Sequence, residues 1–374
     1  MNILDLAKKI ISIPSYYDGK IDEKALGEFI YQYFTENVKT VKVSKQISPD
    51  GRFNVIVQNT DKPELLFSSH MDTIQPPGDT NQMLHPKVEG DRLFGLGAVD
   101  MKGGLTAAIK AIEEMQEQLP PFMAVFDFDE EYYFLGIKTF LQEYSAIRPK
   151  LAIFTEPTNL KIVNGCRGIL EIRVEFTGKT GHGSRPDLGI NAIERSVALI
   201  EEFKEEVAKL DSQTQIGKTS INFSGIKGGL ISNGTIVEQA NSVPDYASLL
   251  LDIRKANSIL TLEKAQQMLE QLAAKYQLKL GKIELNLDLA TCFTKKSDLS
   301  LVEGAVKAVL GNFAYEPEID RGGLFEGALV QPVLGCPCIS FGPGPKGVEF
   351  TAEEYVSIEG IEKTKEVYVE ILKN

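Results

Sequence analysis

The chain has 374 residues, long enough for two or three domains. Hydrophobic residues at 43% and charged residues at 25% are a globular composition and exclude disorder or a fibrous repeat. Lys and Arg number 40 against 52 Asp and Glu, and the resulting net charge of −12, with no basic stripe, excludes nucleic acid as a partner.

The N-terminal stretch MNILDLAKKIISIP reads as a helix over residues 3 to 11, its apolar side chains at helical spacing. Asp5, Lys8 and Lys9 interrupt what would have to be the apolar core of a signal peptide, and no run approaches the roughly 18 apolar residues of a membrane span. A cytoplasmic protein without membrane contact is expected. A second helix follows through Leu26, Phe29, Ile30 and Tyr33, then short buried strands at Asn54–Val57 and Leu65–Ser68. A helix at Gly103–Met115, a strand at Phe122–Phe126, a helix at Phe134–Leu141 and a strand at Leu151–Phe154 complete a mostly parallel sheet flanked by helices.

The texture changes near Gly168. Leu170, Ile172, Val174 and Phe176 alternate with Glu171, Arg173 and Glu175, so this strand has one wet face and belongs to an antiparallel sheet. Strands at Ser220–Ser224 and Ser248–Ile253 and amphipathic helices at Asn191–Leu210 and Thr261–Tyr276 join it, which predicts an inserted α+β domain over residues 168–288. The buried style returns with a helix at Leu299–Leu310, a strand at Cys338–Phe341 and a helix at Ile358–Leu372. Residues 1–167 and 289–374 therefore form one discontinuous α/β domain. Cys166, Cys292, Cys336 and Cys338 are too scattered for a disulfide framework and read as ordinary buried thiols.

Chemistry concentrates where the buried strands end, the ligand-binding edge of open α/β sheets. Ser69-His70-Met71-Asp72 follows one strand, and residues two apart on a strand point the same way, so Asp72 can fix the His70 imidazole as the outer partner of a metal-binding histidine does. Gly95 to Gly104 is glycine-dense around Asp100, but no strand precedes it, and neither Gly-Lys-Thr triplet (Gly178–Thr180, Gly217–Thr219) has the upstream glycine of a nucleotide loop. Asp127, Asp129, Glu130 and Glu131 crowd after the next strand, a repulsive cluster that is either a solvated acidic turn or a cation site. Glu156 follows the strand after that. One histidine with several carboxylates is a hard donor set suited to zinc, cobalt or manganese, one or two per chain, with one carboxylate left over as general base.

The stretches SSHMDT, GLGAVDMKGG, DFDEEYYFLG, TEPT, GKTGHGSRPDLGINAI, NSVPDYASLLLDIR and FGPG followed by TAEEYV, in this order, resemble the zinc-dependent family of aminoacylase, carboxypeptidase G, acetylornithine deacetylase and succinyl-diaminopimelate desuccinylase. The resemblance implies a catalytic α/β domain with an inserted lid. It further implies one metal on His70, Asp100 and Glu156, a second on Asp100 and Glu131, Glu130 as general base, and Asp72 orienting His70. His182 would donate to the tetrahedral oxyanion, within one chain or across a homodimer formed through the lid, and Asn241 and Arg254 would contact the substrate. A guanidinium suits a carboxylate. His85 matches no ligand motif and reads as a surface residue.

Two departures stand out. Phe350 occupies the position of the family's last histidine ligand, no histidine follows His182, and Glu349 is the neighbouring carboxylate that would substitute if the loop shifted by one residue. Arg321 to Gly327 only partly resembles the family's glycine-rich substrate turn, with Glu326 at its acidic position. The expected function is a metal-dependent amidohydrolase acting on an N-acyl amino acid or short peptide. The competing expectation is a silent relative that uses the fold as a small-molecule or protein-binding module, against which the retention of Glu130 argues.

Overall fold

Strands whose residues are buried on both faces carry the metal-ligand motifs, and their pairing decides where those motifs meet. In the computed structural model, which describes the chain except residues 212–213, 312–314 and 319–322, the chain divides into two units. The first comprises Met1–Gly165 with the later stretches Cys292–Pro317 and Phe325–Asn374. Its main sheet runs in the order Lys42–Ile47, Phe53–Gln58, Phe122–Asp127, Leu65–His70, Leu151–Phe154, Cys338–Ser340, Ile162–Cys166 and Cys292–Phe293.

Four neighbours in this sheet are parallel, with Leu65 opposite Phe122 and Leu151, and Cys338 opposite Ala152. Strands of this kind need cover on both faces: Ile3–Ile11, Lys24–Asn37, Gly103–Glu114 and Ile358–Leu372 share one core with Val55, Phe67 and Ala124, while Leu135–Tyr144 and Gly327–Leu334 pack against Phe53–Gln58, Phe122–Asp127 and Cys338–Ser340. Phe34, Phe67, Phe122, Phe126 and Tyr368 fill the core between these layers. Because the four strands point the same way and are in register, His70, Asp127 and Thr155 end up along one sheet edge.

The second unit is built on Cys166–Thr291. Its antiparallel sheet has the order Thr235–Val237, Ser220–Ser232, Tyr246–Lys255, Gly168–Thr177, Lys279–Leu289. Leu170, Ile172, Val174 and Phe176 face a core closed by helices Ala192–Lys209 and Leu262–Lys275. Asn191 and Thr261 cap these helices with side chains that accept the Ile193, Glu194 and Lys264 N–H groups.

The outer elements escaped the hydrophobic pattern for identifiable reasons. Lys42–Ile47 is an edge strand with no buried residue, and a small sheet of Lys87–Glu89, Arg92–Phe94 and Tyr355–Ser357 is assembled from three-residue pieces. Along Lys279–Leu289, register shifts after Leu280 and Leu285 break the two-residue alternation that marks a half-buried strand.

Packing at the site edge leaves no slack. A methyl group placed on Gly104, in the first turn of Gly103–Glu114, would sit 1.9 Å from the carbonyl oxygen of Thr155, the residue before Glu156. Gly104→Ala should therefore force helix and strand end apart and destabilise the chain by about 1–3 kcal/mol, read as a lower urea midpoint. An unchanged midpoint would show that this contact carries no constraint.

Candidate metal centre

His70 is buried at the last position of its strand. Its Nδ1 lies 3.0 Å from the Asp72 carbonyl oxygen and 3.5 Å from the Asp72 carboxylate. The carbonyl is thus the nearer of the two Asp72 groups to the ring. Donation of Nδ1–H to that carbonyl leaves the Nε2 lone pair facing outward. Nε2 lies 3.2 Å from Asp100 Oδ1 and 3.8 Å from Glu156 Oε1.

The Asp72 carboxylate has a second task. It accepts the backbone N–H groups of Glu130 and Glu131 at 3.1 and 3.0 Å, tying the two glutamates to the histidine loop. From the other side, Asp129 adopts a left-handed φ of 68° and accepts N–H bonds from Tyr133 and Leu135. Arg52 Nη1 holds the Asp129 carboxylate at 2.8 Å, reaches Asp50 and Glu23, and lies over the rings of Phe128 and Tyr17. Glu23 and Arg52 were not found from the sequence because they are scattered charged residues without a shared motif, and Asp129 was visible there only as a member of the acidic cluster.

Asp100 is held on the tight turn Ala98–Lys102, entered through Gly97 in the left-handed region. The Glu354 carboxylate accepts N–H bonds from Gly97, Val99 and Asp100 at 3.0, 3.0 and 3.2 Å. Lys102 is buried beside them with Nζ donating to the Ile13 carbonyl, and burial brings this amine down to about 7. Glu156 continues from Leu151–Phe154, its neighbour Thr155 sharing a hydrogen bond with Ser69 at 2.8 Å.

Electrostatically the cluster is overloaded with acid. Burial, reinforced by Asp72, Asp100 and Asp127, pushes Glu130 up to about 8 against the pull of His70. Burial and neighbouring carboxylates hold Glu131 and Glu156 well above the usual carboxylate range. Burial alone would lower His70, but hydrogen bonds from the ring to Asp100 and Asp72 override it and raise the imidazole well above its ordinary value. Ligand atoms of His70, Asp100 and Glu131 lie within 4.8 Å of one another, and the buried Glu131 Oε1 has no hydrogen-bond partner. An imidazole, converging carboxylates and an orphaned buried oxygen fit a divalent cation.

Other candidates are placed elsewhere. The Glu349 carboxylate turns back to accept the Gly347 N–H, and it is absent from the His70 cluster; the loop does not make the one-residue shift that would carry it inward. Phe350 is 48% exposed at a φ of 64°. His85 is exposed, its Nδ1 meeting the Asn81 carbonyl. Within the second unit, His182 is exposed and accepts hydrogen bonds at Nδ1 from Ser184. It forms a bridge with Ser242, beside Asn241, whose carbonyl accepts the Gly183 N–H. Arg254 Nε is paired with Asp252 at 2.9 Å. The turn containing Glu326 lies partly outside the described residues; Glu326 itself is buried.

Known proteins resemble this chain in sequence and in fold. A probable carboxypeptidase of Aspergillus clavatus is 31% identical over 273 residues, 68% of this chain and 62% of that protein. An acetylornithine deacetylase of Buchnera aphidicola is 26% identical over 100% of this chain and 98% of its own length. The crystal structure of aminopeptidase PepT from Bacillus cereus shares the fold, with a TM-score of 0.78 at 19% identity, covering 99% of this chain and 97% of that one. The model of peptidase family M20/M25/M40 matches residues 66–374, and the chain belongs to that family.

Proposed function

We propose that this protein hydrolyses the amide bond of an N-acyl amino acid or a terminal bond of a short peptide. The observation that carries the reading is the convergence of His70, Asp100 and Glu131 ligand atoms within 4.8 Å, with Glu156 3.8 Å from His70 and the Glu130–Glu131 backbone tied to the same loop by Asp72. Family membership supplies the class, a metal-dependent hydrolase of amide or peptide bonds. The probable carboxypeptidase and the acetylornithine deacetylase among its relatives support peptides and acylated amino acids as substrates.

His70, Asp100, Glu131 and Glu156 would hold a divalent metal such as zinc, cobalt or manganese, which when bound supplies a Lewis acid for the substrate carbonyl and lowers the pKa of water. Glu130 takes one proton from the attacking water and returns it to the leaving nitrogen, so that water and amide yield a carboxylate and an amine. A carboxyl with a pKa near neutrality is suited to both halves of that transfer. His182 is the donor to the developing oxyanion that the family resemblance implies, and Asn241 and Arg254 are the substrate contacts. Arg254 is already engaged by Asp252, so a substrate carboxylate must take the guanidinium nitrogens that Asp252 leaves open.

Glu130→Gln should preserve metal content and substrate binding while lowering kcat by about 10²–10⁴-fold. Hydrolysis of N-acyl amino acids and dipeptides at a near wild-type rate by this variant would remove Glu130 from the mechanism.

The metal count follows from the ligands. With Phe350 exposed and Glu349 turned away, the second site implied by the family keeps Asp100 and Glu131 but gains no third protein ligand from this loop. Elemental analysis after gel filtration should find nearer one metal than two per chain; Phe350→His should raise the number, and Glu349→Ala should leave it unchanged.

Removal of metal should also reverse the pH dependence of stability. Glu130 lies at about 8 in the metal-free fold, above its ordinary carboxyl value, so the fold is favoured while this group stays protonated and loses that advantage as pH rises through 8. Chelator-treated protein should melt at progressively lower temperature from about pH 5 to 8, and re-addition of zinc should flatten the trend. A flat profile without metal would contradict the charge crowding described here.

A further inference from the structure

Next to the candidate metal cluster lies a second acidic group, drawn from the DFDEE stretch and the Arg321–Gly327 turn, that the mechanism above does not employ. Ser68 is two residues before His70, Asp127 three before Glu130, and Glu326 immediately precedes the helix Gly327–Leu334; all three are buried. Ser68 Oγ lies 3.1 Å from Asp127 Oδ2 and 2.9 Å from Glu326 Oε2. Asp127 Oδ1 and Glu326 Oε1 have no partner among the described residues.

Counting hydrogens constrains this triad. A hydroxyl has one hydrogen to give, so Ser68 can donate to one acid and must accept from the other. If both acids were ionised, one of the two contacts would set oxygen lone pairs against each other in a buried site, a costly arrangement. Asp127 and Glu326 therefore share at least one proton. Protonation of Glu326 satisfies both contacts: its O–H donates to Ser68 Oγ, while Ser68 O–H donates to Asp127. In agreement, burial and the neighbouring Asp127 carboxylate hold Glu326 well above the carboxylate range, whereas Asp127 is raised to about 7.

We propose that Glu326 is a positioning residue that works as a neutral carboxylic acid, locking the strand end that carries His70 to the strand end that leads into Glu130. This rests on the hydrolase reading for the roles of His70 and Glu130, though the triad's geometry stands apart from it. Glu326 is thereby removed from the substrate-facing position that its turn suggests: a group buried in a hydrogen-bonded triad has no open face for a ligand. Its two partners come from separate strand ends while Glu326 itself stands at a helix start, so it sets the spacing between ligand and base.

The test compares Glu326→Gln with Glu326→Ala in the full chain. An amide of the same shape can still donate to Ser68 Oγ, so the Gln variant should keep zinc affinity, measured against a chelating dye, within about threefold of wild type. The Ala variant should lose about 10–100-fold in zinc affinity, with kcat falling and KM for an N-acetyl amino acid little moved. Infrared difference spectra of the zinc-loaded protein should show an un-ionised carboxyl band in wild type that is missing from Glu326→Gln. Should Gln prove as damaging as Ala, a negative charge is needed and the proposal is overturned; persistence of the infrared band in Glu326→Gln overturns it as well. If wild type hydrolyses no amide, the hydrolase reading fails, while the zinc and infrared measurements still decide the state of Glu326, even if Glu326→Ala does not fold.

Discussion

One imidazole surrounded by buried carboxylates is the constraint on which the rest of this structure depends. His70 meets Asp100 and Glu156 at Nε2, Glu131 completes the ligand group, and Glu130 lies close enough for its charge to act on all of them. Buried like charges repel strongly where water cannot screen them, so such a cluster persists only if protons or a cation neutralise it. The raised carboxyls correspond to the first remedy, and the convergence of His70, Asp100 and Glu131 suits the second. A hydrolase that needs both a cation and a proton carrier in one place can draw on this same instability.

Holding repelling groups together requires supports that add little positive charge of their own, since a bare cation nearby would compete with the metal. The chain meets this requirement largely with backbone N–H groups. Asp72 gathers the amides of Glu130 and Glu131, and Glu354 gathers those of Gly97, Val99 and Asp100. Each such carboxylate fixes a loop by several charge-assisted bonds while its own charge is spread over amide dipoles. Arg52 is a full cation, but it is enclosed by Asp129, Asp50 and Glu23, and its role is to fix the residue before Glu130. Lys102 is held near neutrality by burial, so it contributes little standing charge beside Asp100.

Most of the proposed ligands and the proposed base were legible in the sequence because they follow buried strands, and buried strands announce themselves as apolar runs. His70, Glu130, Glu131 and Glu156 all belong to this class, and Asp100 stands out by the glycines around it. Supports were illegible for the opposite reason. Arg52, Glu23 and Glu354 act through backbone amides or through charges brought from distant segments, and no local spacing records such a contact. Strand texture showed the change from a two-faced buried sheet to a half-wet one at Gly168, since alternation is a local property. It could not show Lys42–Ile47 or Lys279–Leu289, where edge exposure and register shifts blur the alternation. The misplacement of Glu349 has a similar origin: proximity in sequence to a lost ligand says nothing about where a turn directs its carboxylate.

The C-terminal loop shows that ligand supply and loop support are separable within a few residues. Glu354 lies four residues after Phe350, and its three N–H bonds shape the turn that presents Asp100 whether or not residue 350 ligates anything. Loss of a histidine at position 350 therefore removes a donor without loosening the residue that would bridge two metals. Phe350 also occupies a left-handed conformation that costs any residue with a Cβ, so the position is held by its loop and not by the side chain's preference. A site with this division of labour can lose a ligand and keep the geometry of Asp100, Glu130 and His70 on which hydrolysis at a single metal would rely.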